Sequence, residues 1–293
     1  MNNKDSITLW NIFCTIYCYI DFVVVNLLQL IVLPILLLIS IFDRDKKLLS
    51  YSIKFFYWIF YFLNIPQIHN VKLNGLKAPK KGERRVYVIN HASIFDVILM
   101  SVLPGANKAV MKESYTKLPL IGQIAVLSGN IVLKQDMDTG EQYDFYMSIQ
   151  EKLERGVPIV IFPEGTRSRN GKVGKFYDGS FKLAVDTKAD IVPVVLDSWN
   201  IIRPGAYWIR DTITTFRVMD TIKYEDYQKY SYKQLAKVMR IKMTEELLRI
   251  RYERRAREPF YYRKKQRFID TDNEMRKELA EQKMKYAELI HNA

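Results

Sequence analysis

From Phe22 to Phe42 the chain carries no charged side chain. A helix of that length reaches about 30 Å, the thickness of a bilayer's hydrocarbon core. Asp43-Arg44-Asp45-Lys46-Lys47 ends the run. The residues before it are not clearly basic, and the apolar stretch is too long for a cleaved signal peptide. A membrane helix is therefore expected, kinked at Pro34, with its C-terminal side in the cytosol by the Lys/Arg bias. A second apolar block, Phe55 to Leu63, is too short to span alone and rich in aromatic side chains. It reads as an interfacial or re-entrant helix. Burial in a soluble core is the alternative for both blocks. The uncharged length argues against it for the first block and leaves it open for the second.

Two later apolar runs end in polar loops. Val86-Tyr87-Val88-Ile89 reads as a buried strand, being β-branched and aromatic, and Asn90-His91-Ala92-Ser93-Ile94-Phe95-Asp96 follows it. Residues five apart on an ideal helix point roughly 140° away from each other. His91 and Asp96 can meet if His91 lies in the loop before a helix and Asp96 folds back from its first turns. A carboxylate on one imidazole nitrogen fixes the tautomer and leaves the other nitrogen to take a proton. Taken alone, the pair is equally a turn capped by Asn90 beside a surface acid. Ser93 lies between them, and nothing in its setting makes it a nucleophile. The second run, Ile159-Val160-Ile161, leads into Phe162-Pro163-Glu164-Gly165-Thr166-Arg167-Ser168. Pro163 and Gly165 make a rigid turn with a permissive backbone. Thr166 and Arg167 offer donors that suit a phosphate, and Glu164 is placed to hold the arginine or a substrate hydroxyl.

In this order and separation the two stretches resemble the glycerolipid acyltransferase family, whose signatures are N-H-x-x-x-x-D and F-P-E-G-T-R-S. The 1-acylglycerol-3-phosphate acyltransferases are the nearest members, over roughly Val71 to Val218. The resemblance implies transfer of an acyl group from a thioester, acyl-CoA or acyl-carrier protein, to the sn-2 hydroxyl of lysophosphatidic acid. It makes His91 the general base and Asp96 its orienting partner. Glu164, Gly165, Thr166, Arg167 and Lys175 fall on the phosphate side, with Asn90 and Lys134 as further substrate contacts. Backbone amides near the next helix are expected to hold the oxyanion. No resident cofactor and no metal are implied, and His69, His91 and His291 have no ligand spacing. Gly129 to Asp136 aligns with a family motif that usually closes on a phosphate-binding arginine. Here Gln135 stands at that place, after Lys134. Neighbouring strand residues face opposite sides, so Lys134 does not simply replace the arginine, and the acceptor headgroup stays open. Glycerol 3-phosphate or another lysophospholipid is the alternative acceptor. A His/Asp lipid hydrolase and a non-catalytic basic membrane-binding module are the alternatives from other classes.

Alternating strands and helices give an α/β class. The expected architecture is a mixed β-sheet covered by helices, glycerol-3-phosphate acyltransferase-like, with an N-terminal membrane helical motif and a helical C-terminal extension. The divisions are 1–68 for membrane-embedded helices, 69–224 for the acyltransferase domain and 225–293 for the extension. Asp138-Thr139-Gly140-Glu141 reads as a capping box, opening a helix with Phe145, Ile149 and Leu153 on its core face and Gly156 at its end. Asn170 to Gly174 reads as a mobile loop, and Ile191 to Leu196 as an apolar strand.

The 45 Lys and Arg against 32 Asp and Glu leave a formal charge of +13, which implies anionic partners. From Arg249 to Arg267 there are nine basic residues and two acids, with Phe260-Tyr261-Tyr262 among them. No nucleic-acid motif accompanies them, so a solvated face or lipid headgroups are the expected surroundings. Asp272 to Ile290 reads as an exposed helix. Cys14 and Cys18 make neither a disulfide framework nor a metal pattern, consistent with a reduced compartment.

Overall fold

The computed structural model describes residues 8–64, 67–118, 121–202, 206–210, 212–257, 266–287 and 289. His291 and the segment holding Phe260, Tyr261, Tyr262, Arg263, Lys264 and Lys265 lie outside them.

Two helices open the chain. Thr8 caps α1 (Leu9–Ile39), its hydroxyl accepting the Asn11 N–H at 3.1 Å. α1 runs through Pro34 and ends in a 3-10 turn at Ser40–Phe42. Leu9–Phe42 is the one segment among the described residues long and apolar enough to cross a membrane. α2 (Lys47–Leu63) folds back along it. Tyr17 Oη donates to the Leu63 carbonyl and Phe22 meets Phe60 edge-on at 6.0 Å.

The sheet has seven strands: β1 (Gln67–Lys72), β2 (Arg85–Ile89), β3 (Lys108–Lys112), β4 (Ile131–Leu133), β5 (Ile159–Ile161), β6 (Asp190–Asp197) and β7 (Thr212–Val218). Their order is β1-β7-β6-β2-β5-β3-β4, parallel throughout except for β6 against β7. The helices between and after them are α3 (Asp96–Leu99), α4 (Ile121–Leu127), α5 (Thr139–Glu154), α6 (Asp178–Asp186), α7 (Tyr224–Tyr227), α8 (Tyr232–Arg257) and α9 (Gln266–Lys285). Asp138 caps α5 as the sequence predicts, accepting the Glu141 N–H at 2.8 Å, and Ile149 and Leu153 are fully buried.

Strand alternation splits the core in two. Val86 and Val88 of β2, with Ile191 and Val195 of β6, face α5, α6, α8 and α9. Tyr87 and Ile89, with Val192, Val194 and Leu196, face α1, α2 and α3. The N-terminal hairpin thus covers one face of the sheet. Phe56 and Phe60 turn inward while Phe55, Trp58 and Phe62 stay exposed, so α2 is half core and half the interfacial surface expected of it. Two lysines, Lys54 half-buried and Lys108 fully buried, fasten the hairpin. Lys54 of α2 donates to the carbonyls of Leu103 and Gly105. Lys108 of β3 donates to the Lys46 carbonyl at 3.1 Å, the Ser128 carbonyl at 2.6 Å and the Ser50 hydroxyl.

Two arginines of the C-terminal basic run depart from expectation. Arg251 and Arg254 are 3% and 7% exposed, so neither faces solvent or headgroups. Arg251 pairs with Asp197 at 3.1 Å and with Asp272 at 2.8 Å, and Arg254 pairs with Asp197 at 3.0 Å. A charge leaves water only where opposite charges meet it, and β6 and α9 supply them. For the same reason α9 is not a wholly exposed helix: Asp272, Met275 and Leu279 are buried against the rest of the protein.

Candidate active site

β5, β2 and β6 lie side by side and parallel, with Val88 opposite Ile161 and Ile89 opposite Val194. The loops at their carboxyl ends therefore leave the sheet together, where open α/β sheets bind ligands. They carry His91, Glu164 and Ser198.

His91 lies in the loop after β2, and Asp96 opens the short α3 and folds back to it. The His91 Nδ1–H donates to Asp96 Oδ2 at 2.8 Å. That oxygen also accepts the N–H groups of Ala92 at 2.6 Å and Ser93 at 2.8 Å. The other oxygen, Oδ1, accepts the Ser198 hydroxyl. Asp96 is completely buried. A carboxylate oxygen surrounded by donors accepts, which puts the ring proton on Nδ1 and the lone pair on Nε2. The Phe162 ring lies 4.6 Å from the imidazole, centroid to centroid, and limits its tilt. Because Ala92 and Ser93 give their N–H groups to Asp96, the expected oxyanion donors cannot be these two. Ser93 is buried, and its hydroxyl accepts the Phe95 N–H at 3.3 Å.

The loop after β5 wraps the backbone of His91. Glu164 Oε1 accepts the His91 N–H at 2.8 Å, and the Ser168 N–H donates to the His91 carbonyl at 2.8 Å. Glu164 Oε2 accepts the Gly174 N–H at 2.8 Å. Burial pushes the Glu164 pKa up to about 7, with the two N–H groups opposing it. Both of its oxygens are thus engaged with main chain, whereas the sequence assigned it the arginine or a substrate hydroxyl on the phosphate side. Gly165 has φ +60°, a left-handed conformation, and a Cβ there would lie 2.9 Å from the Tyr177 ring, so glycine is required twice over. Thr166 and Arg167, between Glu164 and Ser168, are exposed, and so is Lys175, next to Gly174. The two cations, Arg167 and Lys175, stand beside the site's loops with their side chains toward solvent.

Two expected contacts are used elsewhere. The Asn90 amide is buried and pairs with the main chain of Leu196, donating to its carbonyl at 2.9 Å and accepting its N–H at 2.7 Å. It joins the ends of β2 and β6 rather than facing a ligand. Lys134 pairs with Glu141 at 2.5 Å on the outer surface, beside α5. The loop at 170–174 is also tied down: Arg240 Nε donates to the Gly174 carbonyl at 2.7 Å and Arg251 Nη2 to the Gly171 carbonyl at 2.7 Å. Ser198 went unnoticed in the sequence. Its signal is position: it is the second polar residue after the apolar run of β6, as His91 is after that of β2.

The ordered motifs, their loops side by side and the buried His91–Asp96 pair coincide with a match to the Acyltransferase family over residues 70–197. That stretch of the chain is similar to the acyltransferases. A chloroplastic 1-acyl-sn-glycerol-3-phosphate acyltransferase from Arabidopsis thaliana is 32% identical over 48% of this chain and 40% of its own. The 1-acyl-sn-glycerol-3-phosphate acyltransferase alpha of Homo sapiens is 31% identical over 47% of this chain and 52% of its own. The chain thus spans about half the length, or less, of these relatives. The crystal structure of the 1-acyl-sn-glycerophosphate (LPA) acyltransferase PlsC from Thermotoga maritima shares the fold, with a TM-score of 0.66 at 20% identity over 83% of this chain and 97% of that one. That likeness is one of fold, the mixed sheet covered by helices.

Proposed function

We propose that this protein is a membrane-bound enzyme that moves a fatty acyl group from a thioester to the free sn-2 hydroxyl of lysophosphatidic acid, giving phosphatidic acid. The observation that carries the reading is the His91–Asp96 pair, 2.8 Å apart and buried, set within the main chain of the loop that bears Arg167. His91 Nε2 takes the proton of the acceptor hydroxyl. The oxygen attacks the thioester carbon. The tetrahedral intermediate collapses with cleavage of the C–S bond, and the imidazolium returns its proton to the leaving thiolate. Asp96 holds the ring and stabilises the imidazolium without itself taking the proton. Arg167, with Thr166 and Lys175, holds the acceptor's phosphate; Glu164 and Gly165 shape the turn that presents them. Acyl-CoA or acyl-carrier protein is the co-substrate.

The exposed aromatic side of α2 and the apolar α1 support a site at a bilayer surface, where acceptor and product both reside. The basic residues after α1 favour the cytosolic side for the catalytic domain. The direct test is an assay of purified protein with labelled acyl-CoA and a panel of acceptors. Lysophosphatidic acid is expected to be acylated in preference to glycerol 3-phosphate and neutral lysophospholipids. Release of free fatty acid without an acceptor would point instead to a hydrolase.

A further inference from the structure

The family match ends at Asp197, and the residues that brace the site from behind lie beyond it. Asp197 closes β6 with one arginine of α8 on each oxygen: Arg251 Nε on Oδ1 at 3.1 Å and Arg254 Nη1 on Oδ2 at 3.0 Å. The next residue is Ser198, whose hydroxyl donates to Asp96 Oδ1. A second route starts about three turns earlier on the same face of α8. Arg240 of α8 donates to the carbonyls of Gly174 at 2.7 Å and Val173 at 3.2 Å. Gly174 in turn donates to Glu164, and Glu164 accepts the His91 N–H. At about 100° per residue, Arg251 and Arg254 point within roughly 20° and 40° of Arg240. One stripe of α8 therefore reaches His91 twice, at its ring through Asp96 and at its main chain through Glu164. Arg251 also holds the Gly171 carbonyl, which links the two routes.

We propose that Ser198 and Arg240 are positioning residues for the His91–Asp96 pair, and that α8 is the element that sets the site's geometry. The proposal rests on the acyl-transfer reading only for its kinetic arm. Asp96 Oδ2 is already crowded with three donors, so Ser198 is what fixes the rotation of the carboxylate about its own axis. Arg240 fixes the loop that carries the acceptor of the His91 N–H. Neither residue touches the reacting atoms.

The test uses the full chain with acyl-CoA and lysophosphatidic acid. Ser198→Ala and Arg240→Ala are each expected to lower kcat about tenfold while both KM values stay within about twofold, since misplacement of a catalytic group costs rate and not binding. Ser198→Thr and Arg240→Lys, which keep a donor in place, are expected to recover most of that loss. The His91 Nδ1–H proton resonance, read by NMR, is expected to shift in Ser198→Ala and to vanish in His91→Ala. An alanine variant that keeps wild-type kcat would overturn the proposal, as would a loss the conservative variant fails to restore. An unmoved resonance in Ser198→Ala would overturn it whether or not the protein turns over. Absence of turnover in the wild type would instead count against acyl transfer and leave the resonance to decide the positioning.

Discussion

Glu164 accepts the main-chain N–H of His91 at 2.8 Å and never meets its ring. The most buried acid of the second loop thus shapes the first loop. Both of its oxygens face N–H donors, at His91 and Gly174. In Glu164→Gln one of those donors faces an amide NH₂, and a buried unsatisfied donor costs about 1–3 kcal/mol. The variant is expected to melt lower and to lose at least about tenfold in kcat. Thermal melts and initial rates check this; unchanged values in both would show that the contact is incidental.

Glu164 and Lys108 give stability opposite pH dependences. Burial raises the Glu164 pKa from 4.5 to about 7. The fold binds that proton more tightly than the unfolded chain does, so this contribution is full below the unfolded pKa and is lost as pH rises through about 7. Burial lowers the Lys108 pKa from 10.5 to about 7. Here the unfolded chain binds the proton more tightly, so stability rises with pH between about 7 and 10.5. The melting temperature of wild type relative to Glu164→Gln is expected to fall from pH 5 to pH 7, estimated from that window as about one to several degrees. Relative to Lys108→Met it is expected to rise from about pH 7 to pH 10. A difference that stays flat with pH in either comparison would refute that assignment.

Arg167 is exposed beside a main chain bonded to His91. Arg167→Ala is expected to raise KM for lysophosphatidic acid about tenfold or more, because a guanidinium–phosphate contact is charge-assisted. The KM for acyl-CoA is expected to stay put. A change confined to the acyl donor would move the phosphate site away from this arginine.

The N-terminal hairpin is part of the core. Phe60 and Val25 are each 1% exposed against a sheet face holding Tyr87, Ile89 and Val192. A chain starting at Gln67 is expected to uncover that face and to aggregate, even in detergent that keeps the full chain monomeric. Size-exclusion chromatography distinguishes the two. A monodisperse, cooperatively melting truncation would show that the hairpin is only an anchor.

The five-residue spacing of His91 and Asp96 allowed a meeting only in a loop-to-helix geometry, and the second motif, not the spacing, favoured that meeting over a capped turn. The turn at Gly165 was legible because Pro and Gly restrict backbone choices locally. The α5 capping box and its core stripe were legible for the same local reason. What the sequence hid depends on contacts far along the chain. Glu164 looked like a ligand because burial cannot be read from a polar turn. Asn90 looked free because its partner, Leu196, is on another strand. Arg251 and Arg254 looked like a basic surface because Asp197 and Asp272 come to them only through the sheet order and the packing of α9. The strand order itself, with β7 antiparallel to β6, left no local signature.

His91 decides the account. Purified wild type and His91→Ala, reconstituted in vesicles and matched by thermal melt, are assayed with labelled acyl-CoA and lysophosphatidic acid. General-base removal is expected to cost about 10²–10⁴ in kcat, with the fold and membrane association intact. Turnover by His91→Ala close to that of wild type would contradict the central claim.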